Sequence, residues 1–322
     1  MNYSQKMIAK PDISIAVISY NHEKFIADTF RGIAMQKFSG VIEVVVGDDC
    51  STDKTREMAR DFASQQSNVK LLFHTKNGGM VLNWITTIDA CSGRYIALCE
   101  GDDYWTDPLK LQRQFDLMER HPEYSMIWHP VDVIEEGVQR PYPYAPGIEV
   151  ADIQAIIRHH FIPTCSLMFR NGLVNSWPKW INKVMSMDIA LEMMLAMHGT
   201  ALRIDNKMGA YRQHPQGISK SNAHVRLGQL RLLEAFKAFN EYSKLMADET
   251  VRERMMEITR LQLKIPENRR FFALKQLFGF FGLHLYAVRA QTFQAIRHEI
   301  YTHLMPDLYV SIRSKRTKAS IK

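Results

Sequence analysis

A chain of 322 residues, 46% hydrophobic and 23% charged, is long and apolar enough to bury a substantial core, which excludes a disordered, fibrous or collagen-like protein. Its net charge of +7 is unevenly placed: from Ser221 onward 18 Lys and Arg face 9 Asp and Glu, whereas the residues before it hold 23 against 25. That split predicts a near-neutral body over 1–220 and a basic helical extension over 221–322.

The four cysteines, Cys50, Cys91, Cys99 and Cys165, lack the C-x-x-C spacing of a zinc site and show no disulfide framework. Met1 to Asp12 has no signal-peptide core, and no stretch supplies the ~18 uncharged apolar residues of a membrane span. A cytoplasmic protein is expected.

In chain order, Ile13 to Ser19 reads as a buried strand ending at Ser19-Tyr20-Asn21-His22, where Asn21 is placed to cap a helix bearing Phe25, Ile26, Phe30 and Ile33. Val41 to Val46 is a second strand, closed by Gly47-Asp48-Asp49-Cys50-Ser51-Thr52-Asp53 and followed by a helix with Met58, Ala59 and Phe62. Val69 to Phe73 is a third, ending at His74 to Gly79 before a helix with Val81, Trp84 and Ile88. Tyr95 to Cys99 is the fourth, and Glu100-Gly101-Asp102-Asp103 follows it directly. Such alternation predicts an α/β layer with a mainly parallel sheet.

Polar clusters follow each of these strands: Ser19-Tyr20-Asn21, Asp48-Asp49, Lys76-Asn77 and Glu100 to Asp103. In an open parallel sheet the carboxyl ends share one edge, and ligands bind beside it. Neither a G-x-G-x-x-G after the first strand nor a P-loop occurs, so a bound nucleotide must be held by side chains and a cation. The carboxylates after the fourth strand suit Mn²⁺ or Mg²⁺, which take oxygen ligands. They equally suit a solvated acidic turn before the helix that Asp107-Pro108 would start.

Together, Val17-Ile18-Ser19-Tyr20-Asn21, the run Glu43 to Asp53, and Glu100-Gly101-Asp102-Asp103 resemble the signatures of family 2 glycosyltransferases of the GT-A fold, especially bacterial enzymes of surface polysaccharide synthesis. The likeness spans about residues 13–217. It implies a donor-binding half over 13–121, an acceptor half over 122–220, and a nucleoside diphosphate sugar, a UDP-sugar in the first instance, held near Ser19, Tyr20, Asn21, Asp49 and Asn77. Asp103 would then ligate the metal and Asp102 would contact the ribose or the metal shell. Cys50 stands where the family usually has glycine.

Further on, Leu109 to Arg120 reads as a helix, Tyr124 to Trp128 as a strand, Arg140 to Gly147 as a proline-rich loop, and Ile162 to Arg170 as a strand. Asp188, ahead of the apolar helix Ile189 to Met197, is either a helix-capping acid or the general base that takes a proton from an acceptor hydroxyl, and the resemblance favours the base; Glu192 is the reserve. Tyr211-Arg212-Gln213-His214 resembles the family's Y-R-x-H segment, from which Arg212 or His214 would meet the diphosphate or the metal; His214 is taken as a metal ligand, with a solvated loop histidine as the alternative.

Beyond Ser221 the pattern is helical, with Leu232, Ala235, Phe236, Phe239, Tyr242 and Met246 on one stripe and Val251, Met255 and Ile258 on another. The aromatic and basic segment Arg269 to Arg289 and the tail Arg313 to Lys318 read either as an interfacial element on an anionic membrane surface or as a hairpin packed on the body; no nucleic-acid motif accompanies the charge. The expected function is metal-dependent, inverting glycosyl transfer to a glycan or lipid-linked acceptor, with peripheral attachment to the inner face of the membrane. The rivals are a sugar-1-phosphate nucleotidyltransferase and a non-catalytic sugar-nucleotide-binding scaffold.

Overall fold

The apolar runs become strands β1 (Ile13–Ser19), β2 (Ile42–Asp48), β3 (Val69–Phe73) and β4 (Tyr95–Glu100), alternating with helices α1 (Ile26–Ala34), α2 (Thr55–Ser64) and α3 (Met80–Asp89) in a computed structural model that describes residues 10–142, 147–184, 186–215, 217, 222–244 and 246–264. Every residue of β1 is buried, which is why the run has no alternating pattern. The four strands pair in parallel, with Ser19 opposite Asp48, Asp48 opposite Phe73 and Ile18 opposite Glu100. Their carboxyl ends therefore lie level along one edge.

Beyond them come β5 (Tyr104–Trp105), α4 (Lys110–Arg120), β6 (Tyr124–Trp128), β7 (Val131–Glu135), β8 (Val138–Pro141), β9 (Val150–Ala151), α5 (Ile153–His159), β10 (Met168–Arg170), α6 (Met187–Ala196), β11 (Thr200–Arg203) and β12 (Gly209–Gln213). The larger sheet has eight strands in the order β3-β2-β1-β4-β10-β6-β11-β9, and a smaller one has four in the order β5-β12-β7-β8. Strand β10 runs antiparallel to both β4 and β6, its first residue Met168 opposite Ala97 and Ile127, so the residues just before it lie toward the edge where β4 and β6 end.

This reversal corrects the expectation of one strand from Ile162 to Arg170. Only Met168–Arg170 is strand, and Thr164–Ser166 is a short 3-10 turn in which the Ser166 hydroxyl donates to the Pro163 carbonyl at 2.7 Å. A local side-chain bond of this kind competes with the sheet ladder. Asn21 is likewise not a cap: α1 starts from Phe25 without a side-chain cap, while Asn21 sits at φ +55° and its Oδ1 accepts from the Thr52 N–H at 2.8 Å. Asp107 lies one turn ahead of α4, accepting from the Leu109 N–H at 2.8 Å.

Helices α1 and α2 meet through stacked Phe30 and Phe62, 4.3 Å between ring centres. Each such side chain, fully buried, contributes ~1.5–3 kcal/mol. Gly32 lets α1 close on β5, since a Cβ there would stand 2.8 Å from the backbone of Trp105. From the same helix, Thr29 donates to the carbonyls of Gly101 at 3.1 Å and Asp103 at 2.6 Å. The acidic loop after β4 is thus held from below by α1.

The chain divides into two compact units, Met1–Val225 and Arg226–Lys322. Helices α7 (Asn222–Tyr242) and α8 (Asp248–Lys264) follow β12. Leu233, Ala235, Phe236 and Phe239 of α7 and Val251, Met255 and Ile258 of α8 are buried, whereas Tyr242 and Met246, read as part of the stripe, are 42% and 50% exposed. Among the described residues no helix is long and apolar enough to cross a membrane. The aromatic and basic segment 269–289, the tail 313–318, and Pro143 and Pro146 of the proline-rich loop lie outside the described residues.

Candidate active site

A cavity of about 580 Å³ opens at the carboxyl edge of β1, β2 and β4. On the β2 side, Asp49 is 3% exposed, and its two carboxylate oxygens accept from the backbone N–H groups of Gly78 at 2.7 Å and Gly79 at 2.8 Å. Gly79 has φ +86°, a conformation that glycine adopts without penalty, so the Gly78-Gly79 pair is what brings two donors to one carboxylate. Asn77 donates to the Asp49 carbonyl at 3.1 Å, and Ser19, whose hydroxyl donates to the Gly47 carbonyl at 3.2 Å, forms the adjoining wall with half-exposed Tyr20. Asn21 is not on this wall; its side chain ties the loop after β1 to the loop after β2.

The acidic loop separates its carboxyls by direction. Asp102 faces the cavity, its Oδ2 lying 3.1 Å from His214 Nε2 and 3.8 Å from His22 Nε2. Burial opposes ionisation of Asp102, but the His214 hydrogen bond and the His22 charge win and hold its pKa below the usual carboxylate value. His22 is itself pushed down by burial. Gly101 permits this approach, because a Cβ there would stand 2.7 Å from His22 Nδ1.

Asp103 turns the other way, which corrects its placement as the metal-facing residue. It is 0% exposed, does not line the cavity, and its Oδ1 accepts from the Arg212 N–H at 2.8 Å. Burial and the neighbouring Asp102 raise its pKa well above the usual carboxylate value, and its bond to Arg212 makes it a strut between the acidic loop and β12. Glu100 does line the cavity; burial first, then Asp102, Asp103 and Asp188, raise its pKa as well. Arg212 braces the same region, donating to the Asp102 carbonyl at 2.9 Å, pairing with Asp28, and lying 4.4 Å over the Tyr104 ring.

Across the cavity, α6 begins from Ser186 in extended backbone, so Asp188 is its second residue and not its cap. The Ser186 hydroxyl and the Ile189 N–H, the latter at 2.8 Å, donate to Asp188 Oδ1, while Oδ2 lies 3.5 Å from His160 Nε2. Burial opposes its ionisation, yet the His160 charge and these hydrogen bonds hold it at about 2. Glu192, the reserve base, is 0% exposed and absent from the cavity wall; burial lifts its pKa to about 8. A group so enclosed does not reach an acceptor hydroxyl.

His22 and His160 are cavity residues that sequence reasoning did not assign, while Glu100 lines the cavity in the pocket-shaping role expected of it. His22 carried a signal, standing next to Asn21 in a cluster after a strand. His160 carried none, since it follows a helix and only the packing of α5 on α6 brings it to Asp188.

Among the described residues no group of three His, Cys, Asp or Glu side chains forms a cage for an ion. Asp102 and His214 nevertheless offer one oxygen and one nitrogen at the cavity wall, a partial set of the kind Mg²⁺ or Mn²⁺ completes with phosphate oxygens and water. Among the described residues the lining carries four carboxyl side chains, Asp49, Glu100, Asp102 and Asp188, against one guanidinium, Arg212. That balance fits a divalent cation.

The family model described as glycosyl transferase family 2 matches residues 14–175. "Uncharacterized protein Rv1520" of Mycobacterium tuberculosis is 35% identical over 209 residues, covering 64% of this chain and 60% of that protein. The "putative teichuronic acid biosynthesis glycosyltransferase TuaG" of Bacillus subtilis is 31% identical over 117 residues, 36% of this chain and 46% of its own length. Among solved structures, S. aureus TarS 1–349 in complex with UDP-GlcNAc superposes with a TM-score of 0.65 at 18% identity, covering 86% of this chain and 82% of that one. The mannosyltransferase PcManGT from Pyrobaculum calidifontis, in complex with GDP-Man and Mn²⁺, gives 0.55 at 14% identity over 87% and 85%. At these identities the superpositions establish the GT-A type of fold, and the matched signatures establish the lineage: the chain belongs to glycosyl transferase family 2.

Proposed function

We propose that the protein transfers a sugar, with inversion, from a nucleoside diphosphate sugar to a hydroxyl of a glycan or lipid-linked acceptor. The observation that carries this reading is that one cavity at the carboxyl edge of the parallel strands is lined by Asp49 and Asp102 from that edge and by a further carboxylate, Asp188, from α6. Asp49 is fixed by two backbone donors and keeps lone pairs that can accept a ring N–H of a nucleotide base. A UDP-sugar is the first donor to test, in line with the UDP-GlcNAc complex of TarS.

Asp102 and His214 are the residues that would hold Mn²⁺ or Mg²⁺. Bound there, the cation stabilises charge on the departing diphosphate as a Lewis acid. The chain supplies the rest. Asp188 takes the proton as the acceptor oxygen bonds to the anomeric carbon, while the bond from that carbon to the diphosphate breaks and its electron pair leaves with the nucleotide. In an inverting displacement the base stands on the face opposite the leaving group, the role this reading gives to Asp188 on α6. Glu100, at the end of β4, lines the carboxyl edge without joining the chemistry.

The acceptor is a surface polysaccharide or its lipid-linked precursor; the support is the named role of TuaG and the basic, aromatic composition beyond Ser221, which suits an anionic membrane surface. Vesicle flotation with and without anionic lipid tests that attachment. For the reaction itself, UDP- and GDP-sugars are screened for hydrolysis with Mn²⁺ and with EDTA. Turnover with Mn²⁺ that EDTA abolishes is expected, and an Asp188→Asn protein should lose about 10²–10⁴-fold in kcat. Full turnover in EDTA, or an unimpaired Asp188→Asn protein, overturns the corresponding part.

A further inference from the structure

We propose that His160 is the proton-accepting partner of Asp188, so that the two side chains act as one base. The inference rests on the reading of Asp188 as the group that meets the acceptor hydroxyl.

Geometry carries it. The Oδ1 of Asp188 is occupied by the Ser186 hydroxyl and the Ile189 N–H, which leaves Oδ2 as the oxygen for proton traffic. His160 Nε2 is 3.5 Å from that oxygen, and both side chains lie on the cavity wall. Contacts of this length tighten into hydrogen bonds in loaded sites.

The backbone at His160 points the same way. His160 ends α5 in the left-handed region, at φ +41° and ψ +76°, the position where helices favour glycine. A non-glycine residue there costs ~1 kcal/mol. The turn would close more cheaply without an imidazole, and what the imidazole gains is its approach to α6.

Electrostatics then fixes the direction of the proton. The titratable groups facing His160 from α6 are Asp188 and Glu192, and its own helix contributes Arg158 and His159 in the last turn. Glu100 and Tyr142, on other elements, act on the same cluster through Asp188. Glu192 is protonated at neutral pH, so the ionised partner from α6 is Asp188 alone. A neutral imidazole is intrinsically more basic than a carboxylate, so a proton taken up by Asp188 moves on to it. The acceptor O–H breaks, the new glycosidic C–O bond forms, the old one releases the nucleoside diphosphate, and the proton passes from Asp188 Oδ2 to His160 Nε2. The couple therefore works with His160 neutral and stalls when it is protonated, so the rate rises with pH through the titration of His160.

The experiment uses the full chain, and as probe the UDP- or GDP-sugar with the highest Mn²⁺-dependent hydrolysis. His160→Asn is the informative variant because asparagine accepts left-handed backbone. Its melting temperature should stay within a few degrees of wild type. Its kcat should fall about 10-fold or more with KM little changed, and the acid limb of kcat should disappear. Independently of any donor, ¹³C-histidine NMR should show His160 titrating about one pH unit or more higher in wild type than in Asp188→Asn, since removing the carboxylate removes its support for the imidazolium. An unchanged acid limb in His160→Asn, or no difference in the titration, overturns the pairing. Full activity in Asp188→Asn instead overturns the assignment of the base, a separate result.

Discussion

Adjacent acids have opposite duties in the loop after β4, and variants should separate them. Asp103→Asn replaces a buried carboxyl that faces away from the cavity by its amide isostere, so Mn²⁺-dependent nucleotide binding should persist, with a stability loss of ~1 kcal/mol from disturbing the bond to the Arg212 N–H. Asp102→Asn should melt close to wild type yet bind nucleotide about 10-fold or more weakly in Mn²⁺, as isothermal titration would show. The reverse pattern restores Asp103 as the ligand. Cys50 offers a second test: it sits at φ +63°, where the family's usual glycine is unstrained, so Cys50→Gly should raise stability by ~1 kcal/mol in chemical denaturation. The sequence marked both acids as site residues because they follow a buried strand. It did not reveal which one turns inward, because that is decided by β12, which pairs with β5 from about a hundred residues further on, Gly209 opposite Trp105.

At the scale of elements, the strands β1 to β4 and β6 were legible because each is an apolar run closed by polar residues. The segment after Ile162 was not: an antiparallel strand delivers its first residue to the edge where its neighbours deliver their last, so the polar Thr164 to Ser166 precedes the strand instead of following it. The contact of α1 with β5 is the joint on which the acidic loop depends. Gly32→Ala would place a methyl 2.8 Å from the Trp105 backbone, where only main chain is available to move. It should cost ~1–3 kcal/mol and lower kcat through displacement of Asp102, with the loss of stability and of activity appearing together in thermal melts and hydrolysis assays.

Across the whole molecule, three buried groups make stability depend on pH in opposing senses. Glu192 keeps its proton to about 8 when folded, against 4.5 in the open chain, so its contribution is complete below 4.5 and is lost as pH rises toward 8. Lys110, buried 3.8 Å over the Trp105 ring, is pushed down to about 7 from 10.5, and stability is gained as pH rises between those values. His129, pushed by burial to about 3 from 6.5, adds stability between 3 and 6.5. Glu192→Gln should therefore gain on wild type in melting temperature from pH 5 to pH 8. Lys110→Met should be more stable by ~1–4 kcal/mol at pH 7, with the advantage fading toward pH 10. A flat difference across the range in either variant refutes the shifted titration. None of this was legible in the sequence, since a lysine or glutamate reads as surface until the fold encloses it, whereas the basic excess beyond Ser221 was plain from counting alone. The imbalance of the cavity lining, four carboxyl groups to one guanidinium among the described residues, bears on the order of events. A bare nucleoside diphosphate meets like charge as it approaches, and a bare cation meets only two firm ligands. Under the proposed reading the two travel as one neutralised particle, so the substrate that saturates the protein is the cation–nucleotide complex, and the spent nucleotide departs still carrying its ion.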